Sequence, residues 1–540
     1  MFRKATIGLL ASVAVIAAIL FCLGFSPADI GRMFAHPVEG GNSDAIERAG
    51  TLAPAPASAP RPHHGLGAIN LAVIGLYLAA IAAVGIRCGR RIDSTRSFFV
   101  ADGRMHYVVV GISILGTYLS ALTMMGLPGM AYGKHDWTYM VQLPFLVITA
   151  VVITSYIVPR YRDAGFVSIY AFFEQRIGSP IRTIAAASFI LFAIGRMGLV
   201  LYLPALALST VTGLPLMGCI VVMGLVITLY TMIGGIEAVI WTDAIQVVIF
   251  IVAAGISLVF IMGSVGVENF LTMGISHNKF RIIVPDVDVR RITTLWLILE
   301  TVFQTIRIYA TQQDVAQRYL TTPTTAAANR SVWIGIIAYI PLGFIFYFLG
   351  TALFAFYATH PDAALPGKAD PIYPYFIVRE LPVGVAGLTI AAIFAAAMSS
   401  IDSAMNSATT VCTEDFIRRF GRRSRTDAQQ LADARKLTLF WGLLAIFMAI
   451  MFRNIEYVQI FWGKLMGFAT NGMLGLLALA LLPVRVRARS AVIGFVASYI
   501  YLFFMIRSGI VFLLWPVLGN IVCFVVALAW DRVAKPPRAA

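Results

Sequence analysis

The chain has 540 residues, of which 59% are hydrophobic and only 12% are charged, and its mean hydropathy is +0.84. This composition excludes a soluble globular protein and indicates a polytopic membrane protein. The formal net charge of +15 does not indicate a nucleic-acid partner. The basic residues fall mainly in short segments between apolar runs, where they set the orientation of membrane proteins.

The N-terminal 66 residues differ in character from the rest of the chain. Residues 5–25 form an apolar run behind the basic start MFRK, which fits either a signal peptide or a spanning helix. No small-x-small cleavage site follows, and this favours the helix. Residues 26–66 are rich in Pro and Ala without periodicity, which indicates an exposed linker.

From residue 67 onward, apolar segments long enough to cross about 30 Å of hydrocarbon follow one another with short connections. With the N-terminal run, they predict 13 to 14 transmembrane helices. The predicted spans are 67–87, 105–132, 137–159, 181–209, 213–234, 238–264, 291–312, 330–358, 376–412, 436–453, 456–483, 488–507 and 510–531.

Arginines concentrate in the loops after alternate spans, for example Arg318 and Arg330 after the seventh span. The Lys/Arg bias predicts that these loops are cytoplasmic. The C-terminus, with Arg532 and Lys535, is predicted to lie on the same side.

The stretch AAIFAAAMSSIDSAMNSATT, residues 391–410, carries oxygen donors within an apolar segment. Ser399, Asp402, Ser403 and Asn406 recur at helical spacing and share one face. A carboxylate at membrane depth is costly and normally faces a bundle interior or a polar cavity. The face is therefore either a site for a hard cation or a packing surface of small residues between helices.

Several other polar residues lie deep in predicted spans, and each is a functional candidate. Three of them follow one another at i, i+4 and i+7, so they line one helix face, where the acid and the base either neutralise one another or serve the transport pathway. The residues are Arg196, Asp243, Glu300, Gln304, Arg307 and Lys464, and the three on one face are Glu300, Gln304 and Arg307.

The stretch GISILGTYLSALTMMGLPGMAYG, residues 111–133, combines helix-weakening Gly and Pro with hydroxyl side chains. Such a composition predicts an interrupted helix, which can turn backbone carbonyls towards a cation and a half-helix N-terminus towards an anion. Because Gly-rich membrane helices are common, this signal is weak alone.

The segment YTMIGGIEAVIWTDAIQ, residues 230–246, closely resembles the signature of the sodium:solute symporter family. That family includes proline, sugar, sialic acid and monocarboxylate carriers. Five further stretches fit the same family in the right order, and the resemblance covers about residues 67–531. They are SFFVADGRM at 97–105, LSALTMMGLPGMAY at 119–132, RYRDAGFVSIYAFFEQRIG at 160–178, TQQDVAQRYL at 311–320 and AMSSIDSAMNS at 397–407.

The resemblance implies an all-α membrane protein of the leucine-transporter type, with two five-helix repeats of opposite topology and alternating access around a midplane site. It also implies a bacterial inner-membrane location. The implied organisation is an N-terminal helix or signal with its linker at 1–66, a peripheral helix and cytoplasmic loop at 67–104, the first repeat at 105–264, the second repeat at 291–483, and two peripheral helices with a basic tail at 484–540.

The coupling ion implied by the resemblance is Na⁺. Its principal site matches three backbone carbonyls and two hydroxyls here, an all-oxygen set that suits a hard monovalent ion. A second sodium site, found in some members, matches a set in which Asp402 replaces a serine. This replacement leaves the ion count open, because two carboxylates could instead hold a proton or a counter-charge. The principal set is Gly116, Leu119, Ala396, Ser399 and Ser400, and the second set is Asp243, Ser399, Asp402 and Ser403.

Substrate contacts in the family match hydroxyl, amide and cationic side chains in this chain, which suit a carboxylate. The expected solute is a small organic anion of the monocarboxylate type, with sialic acid, a sugar or an amino acid as alternatives. Membrane lipid is the other expected partner, and no obligate protein partner is indicated. The matching positions are Ser120, Thr123, Gln142, Arg196, Tyr309 and Lys464.

Other function classes fit less well. A transporter-like membrane sensor would need a soluble signalling domain, for which the chain is expected to leave no room after its last span. An intramembrane enzyme would need a nucleophile and a base within the spans, but most of the seven histidines lie in loops or linkers. The sequence therefore favours a transporter.

Overall fold

The computed structural model describes positions 22, 26, 28 and 29 and residues 67–133, 137–367, 369, 371–421, 426–454, 458–483 and 485–534. It does not describe the side chains of residues 121–122, 207, 210–212, 454, 458–461 and 463–464. The predicted N-terminal helix and linker thus lie outside the described residues, apart from the four isolated positions.

The first half of the described chain forms ten α-helices. They are α1 (Ala68–Gly89), α2 (Thr95–Val100), α3 (Tyr107–Tyr118), α4 (Ala121–Tyr132), α5 (Gln142–Val152), α6 (Val158–Asp163), α7 (Tyr170–Arg176), α8 (Ser179–Thr212), α9 (Leu216–Val265) and α10 (Val267–Ser276).

The second half forms eleven more. They are α11 (Thr294–Thr311), α12 (Gln313–Leu320), α13 (Thr325–Thr359), α14 (Ile372–Arg379), α15 (Val385–Val411), α16 (Arg418–Phe420), α17 (Asp427–Met451), α18 (Val458–Ala469), α19 (Met473–Leu481), α20 (Ala488–Met505) and α21 (Leu514–Val533).

Nine helices of the described chain are long and apolar enough to cross a membrane, if the continuous helical segment Trp137–Asp163, which contains α5 and α6, is counted as one. One of them, the 50-residue α9, covers two of the predicted spans, 213–234 and 238–264. The predicted spans 105–132 and 456–483 are each divided between two shorter helices, and 291–312 matches the more polar α11. The nine helices therefore account for ten of the thirteen predicted spans.

Two helices that build the site are interrupted. Helix α3 ends at Tyr118, and α4 begins at Ala121 after two residues with extended backbone, Leu119 and Ser120. Helix α11 gives way to α12 at Gln312, which is also extended. Each break leaves backbone carbonyls at the end of one half-helix and N–H groups at the start of the next without helical partners.

Helix α9 bends at Gly235, within the stretch YTMIGGIEAVIWTDAIQ. Gly235 has φ +52° and ψ −155°, a conformation that a residue with a Cβ atom adopts only under strain. A Cβ atom there would also lie 2.8 Å from the carbonyl oxygen of Phe98. Glycine is therefore required at this position both by the backbone bend and by the close approach of the α2 backbone at Phe98.

Helix α15 forms the centre of the bundle. Every residue from Thr389 to Val411 is buried, and the helix packs against α9, α8, α1 and α17. Its oxygen-bearing face is turned towards the breaks in α3–α4 and α11–α12. A polar face at the centre of an apolar bundle is stable only if its groups find partners there.

Candidate functional site

The principal cation ligands expected from the sequence meet where α15 passes the end of α3. The hydroxyl of Ser399 donates to the carbonyl oxygen of Gly116 and to that of Ala396, each at 3.2 Å. The Ser400 hydroxyl is fully buried and has no hydrogen-bond partner in the described chain. Leu119, the fifth expected ligand, occupies the break itself. The arrangement is a buried cluster of oxygens with spare acceptor capacity.

The residues of the expected second site also lie together, but the guanidinium of Arg318 donates hydrogen bonds to two of them, Asp243 and Ser403. Nη2 of Arg318 lies 2.8 Å from Oδ2 of Asp243 and also donates to Ser403 Oγ. Nε of Arg318 donates to Ser113 at 2.8 Å, and the Ser113 hydroxyl donates to Asp243 at 2.5 Å. Arg318 and the two residues of the expected site that it contacts, Asp243 and Ser403, are fully buried.

This position of Arg318 corrects the sequence interpretation. Arg318 was expected in a basic cytoplasmic loop, yet it belongs to α12, all eight residues of which are buried. The break at Gln312 turns α12 into the bundle, and this brings the guanidinium to Asp243 on α9. The arginine therefore contributes to the site rather than to the charge of a loop.

Asp402 has its own partners in this cluster. Its Oδ2 accepts a hydrogen bond from the Tyr230 hydroxyl at 2.5 Å, and its Oδ1 lies 3.2 Å from Ser403 Oγ. Oδ1 of Asp243 is buried without a partner in the described residues. The cluster thus contains two buried carboxyl groups and one buried guanidinium, and the guanidinium pairs with Asp243 but not with Asp402.

Asn406 extends the same face by one further turn. Nε2 of Gln317 on α12 lies 2.9 Å from Asn406 Oδ1 and 2.9 Å from Thr410 Oγ1. Ser407 donates in turn to Gln317 Oε1 at 3.1 Å. This part of the face joins α12 to α15 through side-chain hydrogen bonds.

A cavity of about 310 Å³ lies beside the two helix breaks. Five of the six expected substrate contacts line it, namely Ser120, Thr123, Gln142, Arg196 and Tyr309. The side chain of the sixth, Lys464, lies outside the described residues. Aromatic side chains, among them Tyr118, Tyr339 and Trp462, complete the wall together with further hydroxyls and amides. A few polar groups among aromatic walls are typical of a small-molecule site.

Arg196 already has an anionic partner within the protein. Its Nη1 forms an ion pair with Oδ2 of Asp314, at the start of α12, and its Nη2 donates to the Thr117 carbonyl oxygen at 3.1 Å. One guanidinium therefore connects the two helix breaks. The sequence indicated Arg196 as a functional candidate but not Asp314. The one signal for Asp314 is that it is the single acidic residue of the family-like stretch TQQDVAQRYL.

The face of α11 that carries Glu300, Gln304 and Arg307 is also beside the cavity. Glu300 and Gln304 line it, and Nη2 of Arg307 donates to Gln304 Oε1 at 3.3 Å. The two charged residues do not form an ion pair within 4.0 Å in the described chain. The two charges interact electrostatically without contact, so both sequence interpretations of this face remain predictions.

Two tyrosines of the stretch RYRDAGFVSIYAFFEQRIG hold the break between α11 and α12. The Tyr161 hydroxyl donates to the Ala310 carbonyl at 2.6 Å, and the Tyr170 hydroxyl donates to that of Thr311 at 2.9 Å. Gln313 exchanges hydrogen bonds with the backbone of the same stretch. These bonds satisfy the carbonyls that the break leaves unpaired.

The ends of α7, α8 and α15 are joined by buried and half-buried ions. Arg182 pairs with Asp415 at 2.6 Å and with Glu174 at 2.8 Å, and Glu174 also pairs with Arg419 at 2.9 Å. The Ser168 hydroxyl donates to Asp415 at 2.6 Å. This network joins α7 and the start of α8 to the segment that follows α15.

Comparison with known proteins agrees with this architecture. A family model, described as the sodium:solute symporter family, matches residues 98–497. The sodium/sialic acid symporter of Proteus mirabilis is 33% identical over 457 residues, covering 81% of this chain and 89% of that protein. A sodium/sialic acid symporter of Aliivibrio fischeri is 33% identical over 448 residues, covering 80% and 86%.

Two further matches are more distant or structural. Human sodium-coupled monocarboxylate transporter 2 is 28% identical over 403 residues, covering 73% of this chain and 64% of that protein. The solved structure of a substrate-bound, outward-open Na⁺-coupled sialic acid symporter superposes with a TM-score of 0.80 at 30% identity, covering 87% of this chain and 99% of that one. These matches confirm the expected all-α, leucine-transporter-like membrane fold.

Proposed function

Because the chain belongs to the sodium:solute symporter family, we propose that it imports a carboxylated sugar of the sialic acid class. Sodium coupling and transport, rather than catalysis, follow from the family. The observation that supports this solute is the cavity, which joins hydroxyl groups from both interrupted helices with the amide of Gln142 on α5 and the guanidinium of Arg196 on α8. The proposed location is the bacterial inner membrane with the C-terminus in the cytoplasm.

The proposed principal sodium site consists of the carbonyls of Gly116, Leu119 and Ala396 with the hydroxyls of Ser399 and Ser400. The carbonyls of Gly116 and Ala396 already accept a hydrogen bond from the Ser399 hydroxyl. Rotation of that hydroxyl hydrogen away from them would leave three oxygens facing a cation. Oxygen ligands without a carboxylate suit an ion that must be released again on the inner side.

The proposed coupling runs through the break between α3 and α4. Gly116 and Leu119 belong to the sodium site, Thr117 holds Arg196, and Ser120 faces the cavity. An ion that fixes the backbone of this short stretch also fixes the solute contacts. By linkage, solute binding then raises sodium affinity by the same factor as sodium raises solute affinity.

The proposed second sodium site lies at Asp243, Ser399, Asp402 and Ser403. Arg318 pairs with Asp243 but not with Asp402, so a second monovalent cation would balance the buried carboxylate that the protein itself does not pair. The unpartnered Oδ1 of Asp243 and the carboxylate of Asp402 are the oxygens that remain for it.

The proposed solute differs from the monocarboxylate first expected from the sequence. The cavity, at about 310 Å³, is in the size range of sites for larger organic molecules. Its polar groups extend from Ser120 at the helix break to Glu300 far along α11, which suits a solute with hydroxyls along its length. The two bacterial relatives at 33% identity are named for sialic acid, whereas the monocarboxylate relative matches at 28%.

The proposed carboxylate end of the solute faces Ser120, Thr123 and Gln142. Ser120 and Thr123 offer hydrogen-bond donors at the start of α4, and Gln142 offers its amide at the start of α5; the helix dipole is positive at both of these N-termini. Arg196 contributes further N–H groups to the wall, although Asp314 balances its charge.

The proposed conformation faces outward. Glu300 lines the cavity along the part of α11 that follows the predicted outer loop, and the buried α12 closes the opposite end. The two five-helix repeats are proposed at 105–264 and 291–483, with one interrupted helix at the start of each. Alternating access would move these helices around the midplane site.

Binding to the purified chain tests the solute. N-acetylneuraminate, lactate, glucose and proline are compared by calorimetry in Na⁺ and in K⁺. We expect N-acetylneuraminate to bind at least about tenfold more tightly in Na⁺, since the coupling between sites is typically worth 1–3 kcal/mol. Tighter binding of lactate would favour the monocarboxylate instead, and sodium-dependent binding of glucose or proline alone would overturn the acidic solute.

A further inference from the structure

Arg307 is a buried cation without a close anionic partner. The residue is only 1% exposed, and its hydrogen bond within the described chain is the long contact of 3.3 Å from Nη2 to Gln304 Oε1. Its Nε and Nη1 have no hydrogen-bond partner in the part of the chain that the structure describes. A buried guanidinium is stable only when other groups compensate its charge and its N–H donors.

The other buried arginines near the cavity are balanced within the protein. Arg196 pairs with Asp314, and Arg318 pairs with Asp243. The nearest acid on the face of Arg307 is Glu300, seven residues or roughly 10 Å earlier along the helix axis. Its charge interacts with that of Arg307, but the two side chains form no ion pair within 4.0 Å in the described chain. The cavity wall near Arg307 therefore has an electropositive region that its own residues do not neutralise by contact.

We infer that Arg307 is the specificity-determining cation that balances the solute's carboxylate and sets the direction in which the solute enters. This inference rests on the proposed function, because it requires an acidic solute. Arg307 acts as a positioning residue, through its field and through Gln304, which lines the cavity. In a partly desolvated site, such a charge acts over several ångströms.

The chemistry of the contact determines how Gln304 is presented. A guanidinium can only donate hydrogen bonds, so the amide oxygen of Gln304 must face Arg307. The amide NH₂ group then remains available to oxygen acceptors in the cavity. Arg307 thus turns a side chain of mixed character into a donor on the cavity wall.

Glu300 gives the cavity a polarity along α11. Arg307 is four residues, or about 6 Å, from the end of this helix at Thr311, whereas Glu300 is eleven residues, or about 16 Å, away. A solute that enters from the Glu300 side is therefore drawn in with its carboxylate first. Its hydroxyl-bearing end faces Glu300, where a carboxylate can accept hydrogen bonds.

The test compares the affinity of the full chain for N-acetylneuraminate and for its neutral methyl ester, both in saturating Na⁺. The ratio of the two dissociation constants isolates the effect of the solute's charge. We expect Arg307→Gln to lower the preference for the acid at least tenfold, equivalent to about 1.4 kcal/mol. Arg307→Lys should keep most of the preference, and Glu300→Gln should increase it because a like charge is removed.

Sodium-dependent thermal stabilisation provides the folding control, since neither residue belongs to the proposed sodium sites. A folded Arg307→Gln variant that keeps the wild-type preference would overturn the inference. If that variant does not fold, Glu300→Gln decides, because an unchanged or reduced preference there contradicts the proposed polarity. A wild-type chain that binds neither compound would instead refute the proposed solute.

Discussion

Arg318 and Asp243 form an ion pair in which both side chains are fully buried, with Nη2 2.8 Å from Oδ2. The pair joins α12 to α9 directly beside the oxygens of α15. A buried pair is weak evidence of net stabilisation, but removal of one partner leaves an uncompensated charge. This asymmetry makes the pair accessible to experiment.

Asp243→Asn should lower the free energy of unfolding by about 3–5 kcal/mol, because it leaves Arg318 buried and unpaired. The double variant Asp243→Asn with Arg318→Gln should recover most of this loss. Thermal unfolding of the purified protein without Na⁺ measures both. If the double variant were as unstable as the sum of the singles, the two residues would not be coupled.

Ser400→Ala should weaken sodium binding about tenfold, the effect of losing one good ligand. The Ser400 hydroxyl has no partner among the described residues, so its loss removes no protein hydrogen bond there. Ser399→Ala should act in the same direction. Thr389→Ala on the same helix is the matched control, because its hydroxyl donates to the Val385 carbonyl. Unchanged sodium titrations in both serine variants would exclude the proposed principal site.

Asp402→Asn tests the proposed second ion. With two sites, the Hill coefficient for sodium-dependent uptake can approach 2, whereas one site limits it to 1. We expect the substitution to reduce a coefficient above 1 to about 1, because a carboxylate ligand of the proposed site is lost. A coefficient above 1 that Asp402→Asn leaves unchanged would contradict the proposed second site.

Arg196→Gln should reduce affinity for the acid by about 30-fold or more, since it leaves the Asp314 carboxylate unpaired beside the cavity. Arg196→Ala is expected to abolish uptake of the acid. The double variant Arg196→Gln with Asp314→Asn should regain at least tenfold of the affinity, because the unpaired charge is gone. A double variant as weak as the single one would indicate that Arg196 itself supplies the charge that the solute needs.

Gly126→Val tests the size of the solute. Gly126 lines the cavity, and an added Cβ atom would meet no heavy atom within 4 Å. The variant should fold normally, but the larger side chain should narrow the cavity. When both solutes are measured with the same preparation, uptake of N-acetylneuraminate should therefore fall more than uptake of lactate. Gly255→Val on α9, where a Cβ atom likewise meets nothing within 4 Å, is the control. If Gly126→Val and Gly255→Val changed the uptake of the two solutes equally, Gly126 would not belong to the solute site.

The sequence predicted which residues share a helix face, because helical periodicity is a local property. Ser399, Asp402, Ser403 and Asn406 are all buried on one helix, as their spacing indicates. The ordered motifs also led to the correct family and fold class. These predictions needed no knowledge of how the helices pack.

The partners of those residues on other helices could not be predicted from spacing. Arg318 follows an apolar span in the sequence and therefore resembles a loop arginine. Only the break at Gln312 turns α12 inward and buries it beside Asp243. The pairing of Arg196 with Asp314 depends on the same break, which no Gly or Pro marks in the stretch TQQDVAQRYL.

The most direct test of sodium-coupled uptake of an acidic sugar is transport of radiolabelled N-acetylneuraminate into proteoliposomes that contain the purified chain. With an inward Na⁺ gradient, we predict accumulation above the external concentration, which collapses when K⁺ replaces Na⁺ or when Ser399 and Ser400 are both changed to alanine. Accumulation of equal size in K⁺, or none in Na⁺ by a folded protein, would contradict the account.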